Sequence, residues 1–572
     1  MSLAELEADL RYEDQAFIAC IEALRPHEVT VTYPNPSYLP SPVAINKHFA
    51  RTIEKWEPHS FTPQKRHAVQ LEGLRYLAIA QRIETAQRHA HPRELPKEVE
   101  AQLGFVRQSY MLRCFRLFRI NDLPAEIMTD ILRFVIWNPD SWHHPIDARL
   151  RITWTCRWWR EIALADSTLW NLIWFRPGHP IEREWTWFER ASQTPLDIYI
   201  HSYSSGDHSN NRLEDSAVLD MSAAPSTRPA EMRKFLLRLF AKLKTIRTLV
   251  VVVEDWKSGL VVLELLSTFG PSSGVPMLQR LEIHWGLKDE NRSSLLWADV
   301  IPHQFLGGAV APSLEHLSLD SVPIDWSSSV IGNLTTLDLG RFPESHSPDA
   351  ARFHEVLMNC PRLHKLSMDG GGPRFDGQSS KPVALPHLRI LVVAEHSCQN
   401  AMLLFSQILA PNVNDLTLMN LCGEDFLPMF LQITAAFPKV RLMTTYSIEF
   451  DVGPVGLESM TRWLDSMPLL EYLRVGNVSN YFLGAFFRLG DLEIPVAPRL
   501  AFFDCRFVDP HILVEWVKGR HQFGTPLKKV YISEELANRL DSTQSNTLIE
   551  LCTLVPLPQG ATTPEERALN SN

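Results

Sequence analysis

Two segments of this sequence contain residue types that could support catalysis or metal binding. Gly372 and Gly377 have the spacing of a phosphate-binding loop, but Gln378 stands where that loop needs its lysine. His143 and His144 have no Cys or His partners at the spacing of a zinc site. No H-E-x-x-H or G-x-G-x-x-G motif is present. We therefore expect no enzymatic activity, no cofactor and no metal, and we expect any catalysis to belong to partner proteins.

The overall charge and composition exclude several classes of protein. The 572 residues include 66 acidic and 56 basic side chains, a net charge of −10 that disfavours binding to nucleic acid. The acidic N-terminus lacks the pattern of a secretory signal, and no apolar run is long enough to span a bilayer. The eight cysteines show no C-x-x-C spacing and are expected to be reduced thiols. We expect a cytoplasmic or nuclear protein with no nucleic-acid or membrane partner.

A repeated pattern indicates how most of the chain is organised. Between residues 195 and 535 a helical run is followed again and again by P-x-L-x-x-L-x-L. The second-to-last apolar residue of the strand recurs every 20–36 residues, at Leu249, Leu281, Leu317, Leu337, Leu366, Leu391, Leu416, Met443, Leu473, Phe503 and Val530. Such spacing predicts an α/β fold, an irregular leucine-rich-repeat solenoid of about ten parallel strands inside and helices outside. A doubly wound α/β sheet is the alternative.

The same pattern predicts a binding face. The strand leucines point to the core, so the residues between them alternate outward on the inner, concave side. We expect a protein substrate to bind through solvent-facing residues of these strands, although the sequence does not identify that substrate. The alternative for any one of these residues is that it is simply solvated. Reversing the charge of Lys365 and Arg474 is expected to weaken capture without lowering thermal stability. The full candidate set is His316, Ser318, His364, Lys365, Ser367, Asp415, Thr417, Tyr472 and Arg474.

The segment before the repeats carries a more specific pattern. Residues 120–135 read as a helix capped by Asn121 or Asp122, with Ile127, Ile131 and Phe134 or Val135 as its inward stripe. After a spacer follow C-R-x-W-R-x-I-A and L-W. This segment resembles the F-box, in its fungal F-box-like form, through Leu123, Pro124, Glu126, Ile127, Cys156, Arg157, Trp159, Arg160, Ile162, Ala163, Leu169 and Trp170. The spacer, residues 136–147, is longer than is usual in that family.

The resemblance implies a role and a set of docking residues. An F-box docks on the Skp-type subunit of a cullin–RING (SCF-type) ubiquitin ligase, while the repeats hold the protein to be ubiquitylated. The family keeps the cysteine at the position of Cys156 for packing, not as a nucleophile. By the same resemblance, the apolar docking face would consist of Leu123, Pro124, Ile127 and Ile131, with Leu150 and Trp159 as weaker candidates.

These observations predict four regions and leave alternative functions open. The regions are a helical N-terminal extension (1–118), an F-box-like domain (119–188), the solenoid (189–540) and a C-terminal tail (541–572), whose last part is expected to be disordered. The leading function is a substrate-recognition adaptor of a ubiquitin ligase. The alternatives are a repeat-based interaction scaffold with no ligase role and an unrecognised enzyme on an α/β sheet.

Overall fold

The fold is described from a computed structural model, in which the chain divides into two compact units, Met1–Asp166 and Ser167–Asn572. The predicted N-terminal helices within residues 1–118, the caps Asn121 and Asp122, and His143 lie outside the described residues. Apart from scattered positions before residue 123, the structure describes residues 123–137, 144–176, 181–201, 229–253, 256–285, 301–341, 344–374, 381–450, 453–487, 495–506, 508–558 and 561–570.

The first unit contains three helices that contact one another: α1 (Ala125–Trp137), α2 (His144–Thr155) and α3 (Arg157–Ala165). The buried side of α1 consists of Met128, Leu132 and Ile136, which follow one another at four-residue intervals. The predicted inward stripe was therefore wrong. Ile127, Phe134 and Val135 are exposed and Ile131 is half-buried, because the packed face is turned by about one residue around the helix axis.

The second unit is built on one sheet of fourteen parallel strands, and every strand pairs with the next strand of that sheet along the chain. This sequential order excludes the doubly wound alternative, in which the strand order reverses. The strands are β1 (Leu172–Phe175), β2 (Leu196–His201), β3 (Ile246–Val253), β4 (Arg280–Trp285), β5 (His316–Asp320), β6 (Thr336–Gly340), β7 (Lys365–Asp369), β8 (Ile390–Ala394), β9 (Asp415–Leu421), β10 (Leu442–Ile448), β11 (Tyr472–Gly476), β12 (Phe502–Arg506), β13 (Lys529–Ser533) and β14 (Thr553–Leu557).

The eleven predicted strand positions form a single register, which we call the core row. Leu249 pairs with Leu281, and the pairing continues residue by residue through Met443 to Val530. All eleven side chains are fully buried. The row extends beyond the prediction, to Ile173 and Ile198 at one end and Leu554 at the other. The repeat prediction is thus confirmed, and the stack is longer than expected.

Helices connect the strands and pack on the side of the sheet that the core row faces. Phe503 of the core row lies 4.3 Å, ring centroid to ring centroid, from Trp516 of one of these helices. The helices are α4 (Glu182–Arg190), α5 (Pro229–Leu239), α6 (Trp256–Ser273), α7 (Ala350–Met358), α8 (Cys398–Gln407), α9 (Leu427–Ile433), α10 (Pro454–Asp465), α11 (Asn480–Gly484), α12 (Pro510–Gln522), α13 (Glu534–Arg539) and α14 (Ser542–Leu551). The final helix, α15 (Pro564–Asn570), lies elsewhere and is described below.

Shorter elements fill the remaining connections. Two separate two-stranded parallel sheets pair His303–Gln304 with Ile324–Asp325 and Val383–Ala384 with Ile408–Leu409. Single 3-10 turns are formed by Ser167–Trp170, Phe240–Thr245, Phe305–Gly308, Glu344–His346 and Ala485–Phe487.

The turn after the strand also repeats. Four residues beyond the core row, the backbone is left-handed in seven successive repeats, so a tight turn recurs after each of these strands. The backbone amides of Ser321 and Glu395 donate to the carbonyl oxygens of Gly340 and Met419 in the next repeat. The seven left-handed residues are Ser321, Arg341, Gly370, Glu395, Asn420, Ser447 and Asn477.

The unit boundaries differ from the predicted ones at both ends of the solenoid. The first unit ends at Asp166, so β1 and the trailing Leu169-Trp170 belong to the second unit and not to a separate F-box-like domain. Trp170 packs against Trp187 of α4, with 6.0 Å between ring centroids. At the other end, the region predicted as a C-terminal tail contributes α14, β14 and α15, and α15 lies in its last part, which was expected to be disordered. Both ends extend the same stack, because each new strand covers the edge of the previous one.

Candidate protein-interaction surfaces

Helix α1 presents an apolar stripe on its exposed side. Ile127, Phe134 and Val135 are 48%, 71% and 40% exposed, although they stand on a helix whose opposite side is fully buried. Ile131 lies between them and is half-buried. We call Pro124, Ile127, Ile131, Phe134 and Val135 the α1 stripe. A contiguous exposed apolar surface of this kind marks an interaction site more often than a solvated face.

The predicted docking residues fall into two groups. Pro124 and Ile127 are exposed. Leu123, Ile131, Leu150 and Trp159 are half-buried, so they combine packing with some accessible surface. Of the predicted set, Pro124, Ile127 and Ile131 lie together on the α1 stripe, and Leu123 directly precedes it.

Residues of the C-R-x-W-R motif make hydrogen bonds around the start of α3. Cys156 is the N-cap of α3, and its Sγ accepts a hydrogen bond of 3.4 Å from the backbone amide of Trp159. Arg160 Nε donates to the carbonyl oxygen of Thr153 at 2.7 Å. Asp166 at the end of α3 pairs at 3.0 Å with Arg133 of α1. These contacts give the motif residues a structural role, and Cys156 acts here as a cap.

The predicted substrate residues occupy the sheet face opposite the connecting helices, which we call the open face. His316, Lys365, Asp415 and Tyr472 immediately precede the core row, while Ser318, Ser367, Thr417 and Arg474 immediately follow it. The parallel register therefore places residues from separate repeats in two adjacent rows, as predicted. His364 lies one position further out and is exposed.

Four of the nine candidates are not solvent-facing, which corrects the prediction. Ser318 and Ser367 are only 4% and 6% exposed, because small side chains in the middle of a sheet are shielded by longer neighbours on adjacent strands. Asp415 is buried and Tyr472 is fully buried for a different reason. The C-terminal helix α15 lies over this part of the open face.

Charged side chains pair across the first half of the open face. Glu282 accepts hydrogen bonds from Arg280 Nε at 2.7 Å and contacts His316 Nε2 at 2.9 Å and His284 Nε2 at 3.3 Å. Burial alone would raise the pKa of Glu282, but these hydrogen bonds outweigh it and hold the pKa well below its usual range. Lys365 lies 3.8 Å from Asp338.

The second half of the open face is occupied by the tail helix, as we call α15. Glu566 receives a forked pair of hydrogen bonds from Arg474, at 3.2 and 2.7 Å. Arg474 Nε also donates to Asp504 at 2.6 Å. Burial would lower the pKa of Arg474, but the carboxylates of Glu566 and Asp504 outweigh that effect and raise it. Arg474 is consequently an unsuitable site for a charge reversal meant to leave stability unchanged.

Further contacts extend the attachment of the tail helix along the open face. Lys529 Nζ donates to Glu565 at 2.6 Å, and the Tyr531 hydroxyl donates to the same carboxylate. At the other end of the helix, Asn570 hydrogen-bonds Asp415, while burial raises the pKa of Asp415 to about 6. The tail helix thus reaches from β13 to β9. Sequence reasoning gave no indication of this contact.

The segments considered for chemistry show no assembled site in the described part of the chain. Residues 375–380 of the glycine-rich segment lie outside that part. Gly270–Gly274 matches G-x-S-x-G by letter, a match the sequence reasoning overlooked, but Ser272 lies in the last turn of α6 and donates to the carbonyl oxygen of Phe269 at 3.2 Å. The strand-to-helix turn that exposes a nucleophilic serine is missing there.

Two further features are absent from the described residues. They contain no group of three or more His, Cys, Asp or Glu side chains arranged to hold a metal ion. Nor do they include a helix with the length and apolar character needed to cross a membrane.

The similarity of this chain to known proteins is low. No protein-family model and no curated protein matches the chain. Among solved structures, the leucine-rich repeat-containing protein LegL7 from Legionella pneumophila is similar over 53% of this chain and 92% of its own, with 12% identity and a TM-score of 0.30. We assign the class from the sequential strand order and the shared register: the second unit is a parallel-strand solenoid of the leucine-rich-repeat type.

Proposed function

We propose that this protein is the substrate-recognition adaptor of a cullin–RING ubiquitin ligase and is not itself an enzyme. The first unit would dock a Skp-type subunit, and the open face of the solenoid would capture the protein to be ubiquitylated, in the cytoplasm or nucleus. The observation that carries this proposal is the α1 stripe. In the described part of the first unit, one side of α1 is buried and Ile127 is exposed on the other, as the F-box resemblance expects of a docking residue. Phe134 and Val135, which the resemblance did not include, are exposed beside it.

The test is co-purification with a Skp-type subunit. Leu123→Ala/Pro124→Ala and Ile127→Ala remove apolar surface at the start of the α1 stripe and leave the buried Met128, Leu132 and Ile136 in place. Truncating large apolar anchors at an interface centre often costs about 2 kcal/mol or more, so we expect affinity to fall by about thirty-fold. Glu161→Ala, on the exposed side of α3, is the matched control and should bind as wild type.

A second candidate is a leucine-rich-repeat interaction scaffold without a ligase role. It is favoured by the failure of any family model to match the F-box-like segment. The two candidates differ in one measurement. If the wild-type chain does not bind a Skp-type subunit at micromolar concentration, the adaptor proposal fails and the scaffold remains.

A further inference from the structure

The tail helix makes side-chain contacts of the kind found between a bound peptide and its receptor. Two adjacent carboxylates in its first turn meet two cations and a hydroxyl of the sheet. Arg474 forks onto Glu566, and Lys529 with Tyr531 binds Glu565. Forked guanidinium–carboxylate pairs add directional specificity to charge attraction. We call Leu442, Tyr472, Arg474, Lys529 and Tyr531 the tail-helix seat.

An apolar anchor completes the match one turn later. Leu569 is 7% exposed and packs in a cluster with Leu442, Tyr472 and Tyr531. Phe502, Val555 and Leu557 border the same cluster. Helices that bind in a groove likewise place apolar anchors in pockets of the receptor.

The start of the tail helix is also fixed by the seat. The Thr563 side chain accepts a hydrogen bond from the Glu566 amide at 3.1 Å, while Glu566 reaches back to the Thr563 amide at 3.4 Å, which forms a capping box. Thr563 is fully buried, and its hydroxyl donates to the Tyr472 hydroxyl at 3.3 Å. The recognised pattern is therefore Thr-x-Glu-Glu-x-x-Leu in helical conformation.

The tail helix depends on the seat for its conformation. It is 7 residues long. Isolated helices of fewer than about 12 residues are marginal in water, so a free segment of this length is mostly unfolded. Binding and folding of the segment are therefore coupled, and another segment with the same side chains can compete for the same surface.

We propose that the tail-helix seat binds, in trans, a short helical peptide with the pattern Thr-x-Glu-Glu-x-x-Leu, and that the tail helix is its internal competitor. The inference rests on the proposed function in one respect: the peptide is taken to be part of the protein that the adaptor captures. The partner of the open face must then carry two adjacent carboxylates followed by an aliphatic anchor. Arg474, Lys529 and the Leu569 pocket determine the specificity.

The experiment uses a fluorescein-labelled peptide of residues 561–570 and the full chain. Glu566→Gln/Leu569→Ala in the chain weakens the internal helix and opens the seat, so we call it the opened variant. If the tail covers the seat in nine-tenths of wild-type molecules, the peptide binds the opened variant about ten-fold more tightly by fluorescence anisotropy. A chain with Ala568→Gln, an exposed position of the same helix, should behave as wild type.

Specificity is tested by exchanging charges in the opened variant. Lys529→Glu should lower the affinity for the peptide by about ten-fold, and a peptide with Glu565→Lys should recover most of that loss. Lys528→Glu is the matched control, since Lys528 is the exposed neighbour and the change in net charge is identical. It should alter binding by no more than about two-fold.

Three results would overturn the inference. The first is equal affinity of the peptide for the wild type and the opened variant. The second is an equal loss of peptide affinity in Lys528→Glu and Lys529→Glu, and the third is no binding to the opened variant at about 100 µM peptide. Circular dichroism of each variant is used to check that the sheet remains folded. Binding of the Skp-type subunit to the opened variant, measured in parallel, reports on the proposed adaptor role separately, because it involves the first unit.

Discussion

Replacing Arg474 by Met tests how much the buried charges of the open face contribute to stability. Arg474 Nε lies 2.6 Å from Asp504, whose side chain is 2% exposed, and Arg474 itself is 18% exposed. Removing one member of a buried pair costs about 3–5 kcal/mol, because the remaining charge has neither a partner nor water. Arg506 remains 3.3 Å from Asp504 and partly compensates. We therefore expect Arg474→Met to lose about 3 kcal/mol of unfolding free energy.

The assay is urea unfolding followed by tryptophan fluorescence. Asp504→Asn added to Arg474→Met should recover more than half of the loss, because it removes the buried charge that Arg474 compensates. The control is Arg462→Met. Arg462 pairs with Glu458 at 2.8 Å on an exposed helix face, where both side chains are 59% exposed, so its loss should be about 0.5 kcal/mol or less.

Two outcomes would refute this reasoning. If Arg474→Met costs no more than Arg462→Met, the pair is not effectively buried. If Asp504→Asn gives no recovery, the loss comes from the packing of the Arg474 side chain or from its pair with Glu566, and not from an uncompensated charge on Asp504.

Two further predictions concern packing and pH. Gly270→Ala places a methyl group against the carbonyl oxygen of Leu306 and should lower the unfolding free energy by about 1–3 kcal/mol in thermal denaturation, whereas Gly484→Ala, which meets open space, should not. Burial lowers the pKa of His396 to about 4 from an unfolded value near 6.5, so the unfolded chain takes up this proton first and stability falls as pH drops below about 6.5. At pH 5 the loss of unfolding free energy is about 2 kcal/mol. In urea titrations, His396→Gln should therefore lose correspondingly less stability than the wild type between pH 7.5 and 5. Equal losses would contradict the assignment of this pH dependence to His396.

The core row could be predicted because a single local rule produces it. Each strand places its leucine at the same point after a helix and a proline, and parallel stacking then forces a common register. The strands that were missed break that rule. Leu172–Phe175 is a short continuous apolar run inside a segment that also resembled an F-box, and Thr553–Leu557 contains Pro556, which argues against a strand interior.

The orientation of α1 could not be read from periodicity. Its sequence AEIMTDILRFVIW contains one apolar set at Ile127, Ile131 and Phe134 and a second at Met128, Leu132 and Ile136. Both sets have helical spacing, so the pattern alone does not say which is buried. Packing against α2 and α3 selects the second set. The α1 stripe is what remains outside.

The contact between the tail helix and the open face could not be predicted from the sequence for a related reason. Glu566 and Arg474 are separated by 92 residues, and the polar segment around Pro564–Asn570 has no periodicity that predicts burial. Its only local signal is the capping box at Thr563 and Glu566, which predicts that a helix begins there but not where it lies.

A tethered occupant sets a threshold for any partner of the seat. A segment attached to its own receptor by a few residues acts at an effective concentration of about 1 mM, so a free peptide of equal intrinsic affinity is excluded at cellular concentrations. A partner succeeds only if it adds contacts that the tail lacks. The first half of the open face, with Glu282, His316 and Lys365 at its surface, adjoins the seat and can supply them. On the proposed model, selectivity therefore comes from simultaneous engagement of both halves, and peptides that match the tail pattern alone should bind only when the seat is opened.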